Sequence, residues 1–494
     1  MHYAKNERID NMKGYNHWSY APYKPLLRNV GDIYICRIAP GKDYVHLEWL
    51  STDKENYSIY FRRRNDENFV LAGKTLDNQF DIQNLDTDTD YEFYVVSDQK
   101  KSLVRLARTG ETLGTVVNHL HPDDEAYSFS GRYLCSPSIV RHPDGFLLAS
   151  MDLFAGDHPQ NLTLIFRSDD DGKSWHYVSE LMPCFWGKMF IHSGDLYMLA
   201  CSTEYGDMLI GKSNDGGKTF SAPVTLLRGS NGKNKTEGVH KNPQNIITYN
   251  GRIYASFEWG TYGNMDYGHA SLLMSCPVDC DLLNPENWTF TTPKIFENFT
   301  PETCCLPKGT VPIEGTLAIS PEGKLLNIMR FASYYLPMTI TESEIATNKT
   351  IADFAALAKK GCAIAYEADI NDPEKSLTFS HLIALPAFSK FMIKHDSKSD
   401  KYYTLINRVT DLKAVRARNV LSLFVSDDLK QFEPVADIID FSDGDSFKIG
   451  FQYVDFEISG DDIIFLSRTA LNNAHNYHDA NYSTFHRIKN FRNL

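Results

Sequence analysis

The chain has 494 residues, and 50 lysines and arginines stand against 63 aspartates and glutamates, so its formal net charge is −13. A surface this acidic does not suit a phosphate backbone, and nucleic acid is therefore not an expected partner. A chain of this length exceeds one ordinary hydrophobic core, which predicts two or three domains. It has no apolar run of about 18 residues, so no segment is predicted to span a membrane.

The start of the chain and the cysteines indicate a compartment. The segment MHYAKNERIDNMKGYNHWSY has no apolar stretch of the kind found in secretion signals, so we expect a cytoplasmic protein. Nine cysteines, an odd number without a Cys-x-x-Cys pair, favour free thiols in a reducing environment over disulfides or a zinc site. No metal or other cofactor is predicted.

Residues 31–112 read as a β-sandwich that follows an extension at residues 1–30. Short runs with alternating apolar residues succeed one another, separated by turn signals: DIYICRI, YVHLEWL, YSIYFRR, NFVLAGK, QFDIQNL, DYEFYVV and SLVRLAR. With Trp49 on the second run and Leu85 shortly before Tyr91, the region resembles a fibronectin type III domain. That resemblance implies that Tyr91 forms the tyrosine corner of the fold.

From residue 113 to residue 494 a different unit repeats, in which two strands flank a Gly or Asp turn. Six copies are present: PSIVRHPDGFLLAS, KMFIHSGDLYMLA, NIITYNGRIYASF, GTLAISPEGKLLNIM, FMIKHDSKSDKYYTLI and DFEISGDDIIFLS. Each copy has room for a four-stranded sheet, which predicts a β-propeller with six blades, five or seven being alternatives. The closing segment ANYSTFHRI is predicted to pair with residues 113–120 and remove the free sheet edges.

An acidic turn in IFRSDDDGKSWHYV follows the third strand of the first unit. Its carboxylates lack the alternating spacing and the final Glu of a calcium loop, so we predict a tight turn with Gly172 at positive φ and Trp175 packed beneath it. IGKSNDGGKTF repeats the turn in the second unit and VSDDLKQF repeats it in degraded form in the fifth. These turns resemble the Asp-boxes of the sialidase-like β-propellers, which implies that fold for residues 113–494.

The ends of second strands and the starts of first strands should share one face of such a ring, because neighbouring strands alternate in direction. The second strands end near Asp152, Glu204, Glu258, Arg330, Arg408 and Arg468, and the first strands begin near Arg132, Tyr133, Lys188, His240, Lys241, Glu314, Lys390, Gln452 and Tyr453. Guanidinium groups bind carboxylates through paired hydrogen bonds. Arg330, Arg408 and Arg468 therefore predict an anion-binding cluster, the alternative being salt bridges with neighbouring acids.

Two segments resemble sialidases more closely. IEGTLAISPEGKLLNIMR is similar to the stretch in which a Glu leads to an arginine of the carboxylate-binding triad, which implies that Glu314 polarises a nucleophilic tyrosine and that Arg330 belongs to the triad. GFQYVDFEISGDDIIFL is similar to the stretch that bears the nucleophile, with Tyr453 or Phe451 in its place.

One departure from the sialidase pattern changes the expected substrate. The Arg-Ile-Pro motif is replaced by Tyr-Leu-Cys-Ser-Pro at residues 133–137, so the first arginine of the triad is missing. A relative that acts on another acidic sugar is therefore favoured over a true exo-sialidase. The chain also resembles propeller enzymes that cleave rhamnose from glucuronate by hydrolysis or elimination.

Both reactions have candidate residues. A hydrolase needs two groups across the scissile bond, and Asp152 or Asp157 as the acid with Glu314 or Tyr453 opposite would provide them. A lyase needs cations to neutralise the uronate carboxylate and a base such as His240 or Tyr453.

Three further residues are predicted to bind the substrate: Lys188, Glu258 and Trp259. Glu258 and Trp259 are neighbours on one strand and should therefore face opposite sides.

The loop AHNYHDANY brings His475, His478 and Asp479 together, and this grouping suits either a divalent metal or, as the favoured reading, a hydrogen-bonded loop.

The sequence thus predicts an all-β, carbohydrate-active enzyme that removes a terminal acidic sugar from an oligosaccharide by hydrolysis or elimination. A propeller that binds glycans without cleaving them and a true exo-sialidase are the alternatives.

Overall fold

The computed structural model describes residue 18 and residues 33–51, 56–98, 100–230, 236–261, 269–297, 310–333, 340–386 and 389–494. Within these ranges the chain consists mainly of antiparallel strands, which confirms the predicted all-β class. The helices of the described part are all too short or too polar to cross a bilayer.

Two antiparallel sheets form the first part of the chain. Their strands are β1 (Tyr34–Pro40), β2 (Val45–Leu50), β3 (Tyr57–Arg63), β4 (Val70–Thr75), β5 (Gln79–Ile82), β6 (Asp90–Ser97), β7 (Lys100–Lys101) and β8 (Arg105–Arg108). One sheet has the order β1-β2-β5 and the other β4-β3-β6-β7, with β8 also paired to β6. Every second residue of β2 and β6 is buried, so one face of each sheet contributes to a common core that contains Trp49. Beside this core the Tyr91 hydroxyl accepts a hydrogen bond from the Asp86 amide at 3.0 Å.

Six further sheets follow. Their strands are β9 (Thr115–His119), β10 (Tyr133–Arg141), β11 (Leu147–Phe154), β12 (Thr163–Ser168), β13 (His176–Leu181), β14 (Phe185–His192), β15 (Asp195–Cys201), β16 (Met208–Ser213), β17 (Val224–Leu227), β18 (Gly238–His240), β19 (Ile247–Tyr249), β20 (Arg252–Gly260), β21 (Ala270–Pro277), β22 (Thr289–Phe290), β23 (Thr310–Ile319), β24 (Leu325–Ser333), β25 (Ala363–Glu367), β26 (Thr378–Ile383), β27 (Ile393–Asp396), β28 (Lys401–Ile406), β29 (Val420–Ser426), β30 (Glu433–Asp440), β31 (Gly450–Ser459), β32 (Asp462–Ala470) and β33 (Tyr482–Ile488).

We number these sheets in chain order. Sheet 1 is β10 to β13, sheet 2 is β14 to β17, sheet 3 is β18-β20-β21-β22 with β19 on β20, sheet 4 is β23 to β26, sheet 5 is β27 to β30, and sheet 6 is β31-β32-β33-β9. Each sheet touches the next: β10 contacts β14, β20 contacts β23, β23 contacts β27, and β28 contacts β31. One apolar cluster joins sheets 2 and 3, and β31 contacts β10, so the last sheet meets the first.

The two ends of this part of the chain share a sheet. Strand β33 pairs with β9, and Tyr482 lies opposite His119. This pairing confirms the predicted closure, and it covers an edge that would otherwise be free to associate with other chains.

The acidic turn of sheet 1 is held by its own side chains. Ser168 Oγ accepts a hydrogen bond from the Gly172 amide and donates one to Asp170, both at 2.8 Å. Gly172 has a φ of +91° and Trp175 is buried, as the sequence predicted. The turn at residues 213–220 repeats this hydrogen-bond pattern. Both turns are therefore part of the scaffold.

Two helices that the sequence analysis did not predict, α1 (Glu342–Thr347) and α2 (Lys349–Lys360), are inserted between β24 and β25. A capping box between Thr341 and Glu344 begins the first of them. Short 3₁₀ turns occur at Pro285–Asn287, Leu412–Ala414 and Phe491–Asn493.

Of the predicted N-terminal extension, Trp18 lies within the described residues. It is fully buried, and its Nε1 donates a hydrogen bond to the Pro183 carbonyl at 2.8 Å. The cysteines of the described part are free thiols, in agreement with the prediction.

Candidate active site

Three first strands carry a β-bulge with a left-handed residue at the same place, and β10 shifts register there without one. Trp186 in β14, Glu314 in β23 and Tyr453 in β31 have φ values of +52°, +59° and +53°, and the register with the following strand shifts at each of them. The left-handed conformation costs a non-glycine residue about 1 kcal/mol or more. Bulges re-aim side chains and often occur beside active sites, so these three residues mark the place where a site is expected.

Two arginines lie on the ring of Tyr453. The guanidinium carbons of Arg418 and Arg468 are each 5.2 Å from the ring centroid, and both side chains are buried. Arg418 donates a hydrogen bond to Gln452 Oε1, and Arg468 donates to Cys135 Sγ at 3.1 Å. Among the described residues no carboxylate forms a salt bridge with either arginine. Within the described part of the chain, the site therefore holds two buried positive charges without a direct counterion, which favours an anionic ligand.

A third arginine, Arg330, pairs with Glu314. Its Nε lies 2.5 Å from Glu314 Oε2, and both side chains are buried. Burial alone would raise the pKa of Glu314, but the charge and hydrogen bond of Arg330 outweigh it, and the pKa is lowered. Glu314 is therefore a carboxylate at neutral pH.

Tyr453 faces this group, while Phe451 is fully buried in an apolar cluster. Burial and the charge of Glu314 raise the pKa of the Tyr453 hydroxyl, against the opposing effect of the arginines. The sequence left open which of these two residues lies at the site, and the position belongs to Tyr453. Its phenol is protonated at neutral pH.

His240 and Glu258 form a buried pair next to Glu314. Residues 240 and 258 are opposite each other in β18 and β20, and His240 Nδ1 lies 2.7 Å from Glu258 Oε2. Burial alone would lower the pKa of His240, but the hydrogen bond and charge of Glu258 outweigh it and the pKa is raised. The second oxygen of Glu258 accepts a hydrogen bond from the Gly315 amide at 3.1 Å, so the pair is tied to the bulge at Glu314. The result is an oriented imidazole that can accept or donate a proton.

Both carboxylate oxygens of Asp152 are occupied by hydrogen bonds to neighbouring strands. One oxygen accepts a hydrogen bond from Thr163 Oγ1 at 2.6 Å, the other accepts one from the Trp186 amide at 2.9 Å, and the side chain is buried. Burial raises the pKa of Asp152 to about 7. The alternative acid, Asp157, lies on the following loop with its side chain 85% exposed and bonded to His158.

Arg408 does not join the arginine cluster, and the prediction that placed it there is wrong. It lies beyond the end of β28, and its guanidinium binds Asp437 in β30 through two hydrogen bonds. Arg418, which precedes β29, takes the expected place in sheet 5. In an antiparallel sheet, the start of the third strand lies beside the end of the second strand. The position of Arg418 just before a third strand therefore pointed to the site, but only the ends of second strands were considered.

Lys188 and Trp259 also face away from the site, which corrects their predicted roles in substrate binding. Lys188 forms a buried salt bridge of 2.5 Å with Asp455. Trp259 lies in the core between sheets 2 and 3 and donates a hydrogen bond to Glu237 at 3.1 Å. Trp259 and Glu258 point to opposite sides, as strand geometry requires.

The loop that contains His475, His478 and Asp479 is joined by hydrogen bonds. Each histidine Nδ1 lies 2.9 Å from an Asp479 oxygen, and His478 Nδ1 is 3.4 Å from Arg468. Among the described residues, no three His, Cys, Asp or Glu side chains are grouped so that they could hold a metal ion. His478 therefore contacts both Asp479 and Arg468.

A scan against protein-family models and a search of curated proteins found no match for this chain. Among solved structures it is similar to an α-L-arabinanase of Penicillium chrysogenum complexed with arabinobiose, at 14% identity over 78% of this chain and 99% of that one, with a TM-score of 0.47. A PL25 ulvan lyase matches at 11% identity over 97% and 96% of the two chains with a TM-score of 0.42, and a leech intramolecular trans-sialidase at 8% identity over 96% and 98% with a TM-score of 0.46. These TM-scores lie below 0.5, and none of the similarities carries an inference about this chain.

Proposed function

We propose that this protein is a carbohydrate-active enzyme that cleaves the glycosidic bond of a terminal acidic sugar. In this proposal residues 113–494 form a six-bladed sialidase-like β-propeller and residues 31–112 a fibronectin type III-like sandwich. Six consecutive sheets, with the last closed by β9, support the first assignment. Two sheets around one core, with the Tyr91 hydroxyl bonded to Asp86, support the second.

One observation carries the functional proposal: Arg418 and Arg468 flank Tyr453 without a direct carboxylate partner among the described residues. A buried guanidinium without a counterion is costly, and a carboxylate-bearing ligand would relieve that cost through paired hydrogen bonds. A uronate and a sialate each present one carboxylate on a sugar ring. The proposed substrate is therefore an oligosaccharide with such a sugar at its end.

Elimination is the first of two routes that this proposal includes. The arginines would neutralise the carboxylate and so make the proton on the neighbouring carbon more acidic. His240, oriented by Glu258, would accept that proton from C5 of a uronate while its electrons form the C4–C5 double bond and the bond from C4 to the glycosidic oxygen breaks, so this route requires a uronate that carries the departing sugar on O4. Tyr453, whose raised pKa keeps the phenol protonated, would donate its proton to the leaving oxygen.

Hydrolysis is a second candidate because the charge of Glu314 acts on Tyr453. The Tyr453 oxygen would attack the anomeric carbon while its proton passes to Glu314, and the glycosidic C–O bond would break as the departing oxygen takes a proton from solvent. A water molecule would then replace Tyr453 at the anomeric carbon, and Glu314 would return the proton to the tyrosine oxygen. Both routes use the same arginines to hold the carboxylate. They differ in the product, since elimination alone yields an unsaturated sugar.

A panel of oligosaccharides that end in a uronate or a sialate, together with oligosaccharides whose uronate carries a sugar on O4, tests the proposal. Ultraviolet absorbance reports the unsaturated product, and release of the free acidic sugar reports hydrolysis. Arg418→Gln and Arg468→Gln should each lower kcat/KM by roughly ten- to a hundredfold, because each removes a charge-assisted hydrogen bond of about 1.5–3 kcal/mol. Arg408→Gln is the matched control, since that arginine is paired with Asp437 away from the cluster. Equal losses in all three variants would contradict the assigned site.

A further inference from the structure

A polar side chain from a neighbouring sheet contacts each of the three bulges. Lys241 Nζ donates a hydrogen bond to the Trp186 carbonyl at 2.8 Å, and Gln244 Nε2 donates one to the Glu314 carbonyl at 3.2 Å. Lys390 Nζ donates one at 3.0 Å to the carbonyl of Val454, the residue after Tyr453. All three donors are buried: Lys241, Gln244 and Lys390.

The donors cross from one sheet to the next. Lys241 follows β18 of sheet 3 and reaches sheet 2, and Gln244, from the same segment, reaches sheet 4. Lys390 precedes β27 of sheet 5 and reaches sheet 6. A bulge interrupts the ladder of hydrogen bonds between strands, and a buried carbonyl left without a partner costs free energy. Each donor therefore binds the backbone where the regular strand pairing is broken.

Two of the donors are charged, which makes their burial expensive. Burial lowers the pKa of both Lys241 and Lys390 to about 8. Gln244 makes the equivalent bond with a neutral amide, so a charge is not needed for the bond itself. Burial of a charged group costs free energy, so we expect Lys241 and Lys390 to do more than fill space in the core.

We propose that Lys241, Gln244 and Lys390 are positioning residues that hold the bulges in their left-handed conformation and thereby aim Glu314 and Tyr453 into the site and place Trp186 against the ring of His240, with the ring centroids 4.6 Å apart. The expected effect of these residues on kcat rests on the proposed function. Their structural effect, the orientation of Tyr453, does not depend on which reaction the site performs. An αL residue in a strand persists only where its surroundings hold it, and the three bonds are such a constraint.

Lys390 provides the sharpest test because its bond lies next to Tyr453. Lys390→Met keeps the apolar stem and removes the donor, whereas Lys390→Gln keeps an N–H donor of the kind that Gln244 supplies. Lys394→Met is the matched control, since Lys394 lies a few residues further on and pairs with Glu457 instead of a bulge. On an acidic oligosaccharide we expect kcat to fall about tenfold or more in Lys390→Met with little change in KM, because the arginines remain in place. Lys390→Gln should recover much of the loss.

A second readout separates this inference from the proposed function. In protein labelled with 3-fluorotyrosine, the ¹⁹F signal of residue 453 is assigned by its loss in Tyr453→Phe. That signal should shift in Lys390→Met, return toward its original position in Lys390→Gln and stay unchanged in Lys394→Met. If Lys390→Met does not fold, Gln244→Met tests the Glu314 bulge by the same kinetic comparison. An unshifted signal in Lys390→Met, or an equal shift in Lys394→Met, would overturn the positioning role whether or not the protein cleaves a sugar.

Discussion

Glu258 joins two parts of the candidate site, because one of its oxygens lies 2.7 Å from His240 Nδ1 and the other accepts the Gly315 amide beside Glu314. The side chain is buried, so neither interaction is screened by solvent. The carboxylate thereby fixes the imidazole ring and supports its protonated form.

Glu258→Gln should lower the pKa of His240, since the amide keeps a hydrogen bond but loses the charge that opposes the effect of burial. If His240 acts as the base, its neutral form is the active one, and the acid limb of kcat/KM should move to lower pH in the variant. Titration of the histidine C2 resonances by NMR, with His240→Asn for assignment, measures the pKa directly. A titration curve that does not move would contradict the coupling.

Tyr453→Phe should preserve the ring between the two arginines while it removes the hydroxyl. We expect kcat to fall by about a hundredfold or more with KM nearly unchanged, because the loss of a proton donor or nucleophile affects the chemical step and not the capture of the carboxylate. The measurement is steady-state kinetics together with a thermal melt. A variant that retains kcat would exclude both proposed routes.

Glu180 should make stability depend on pH. It is buried between the N-terminal sheets and sheet 1, where the hydroxyls of Tyr34 and Tyr177 donate to one oxygen at 2.9 and 3.1 Å. Burial raises its pKa from 4.5 to about 7. The folded protein thus holds this proton more tightly than the unfolded chain, so the contribution of Glu180 to stability is greatest below about pH 4.5 and is lost as pH rises through 7.

Glu180→Gln removes this titration. Relative to the variant, the wild type should lose up to about 3 kcal/mol of unfolding free energy between acidic and neutral pH. Denaturant unfolding at both pH values measures the difference, and the other titrating groups cancel because the two proteins share them. A constant difference between wild type and variant would show that Glu180 has an ordinary pKa.

Gly172→Ala should destabilise the scaffold and leave the chemistry intact. Gly172 has a φ of +91°, and an added Cβ would collide with the ring of Phe485 in β33. We expect a loss of about 1–3 kcal/mol in unfolding free energy with unchanged kcat at temperatures where the variant is folded. A fall in kcat without a loss of stability would place the acidic turn in the site.

The all-β class and the acidic turns could be predicted because each depends on a local pattern in the sequence, whereas the pairing of β33 with β9 was predicted from the rule that free sheet edges are covered. The repeat showed where strands and turns fall, and the hydrogen bonds of Ser168 and Asp170 are made within one turn. Patterns of this kind need no knowledge of distant contacts.

The arginine cluster could be predicted only in part. Arg330 and Arg468 lie near the ends of second strands, where the arginines of the cluster were expected. Arg418 instead precedes a third strand. Arg408, which lies just beyond the end of β28, binds Asp437. The bulges were not predicted, and the bulge in β31 decides whether Phe451 or Tyr453 faces the site. Tyr453 and Phe451 would share one face in a regular strand, and the shift in register after Gln452 separates them.

The proposed substrate is defined by its carboxylate, which Arg418 and Arg468 would bind. The most direct measurement compares kcat/KM of the wild-type protein for an acidic oligosaccharide that it cleaves and for the same oligosaccharide with the carboxyl group reduced to an alcohol. We expect a loss of about a hundredfold or more, since the reduced sugar leaves Arg418 and Arg468 without an anion. Equal kcat/KM values for the two compounds would contradict it.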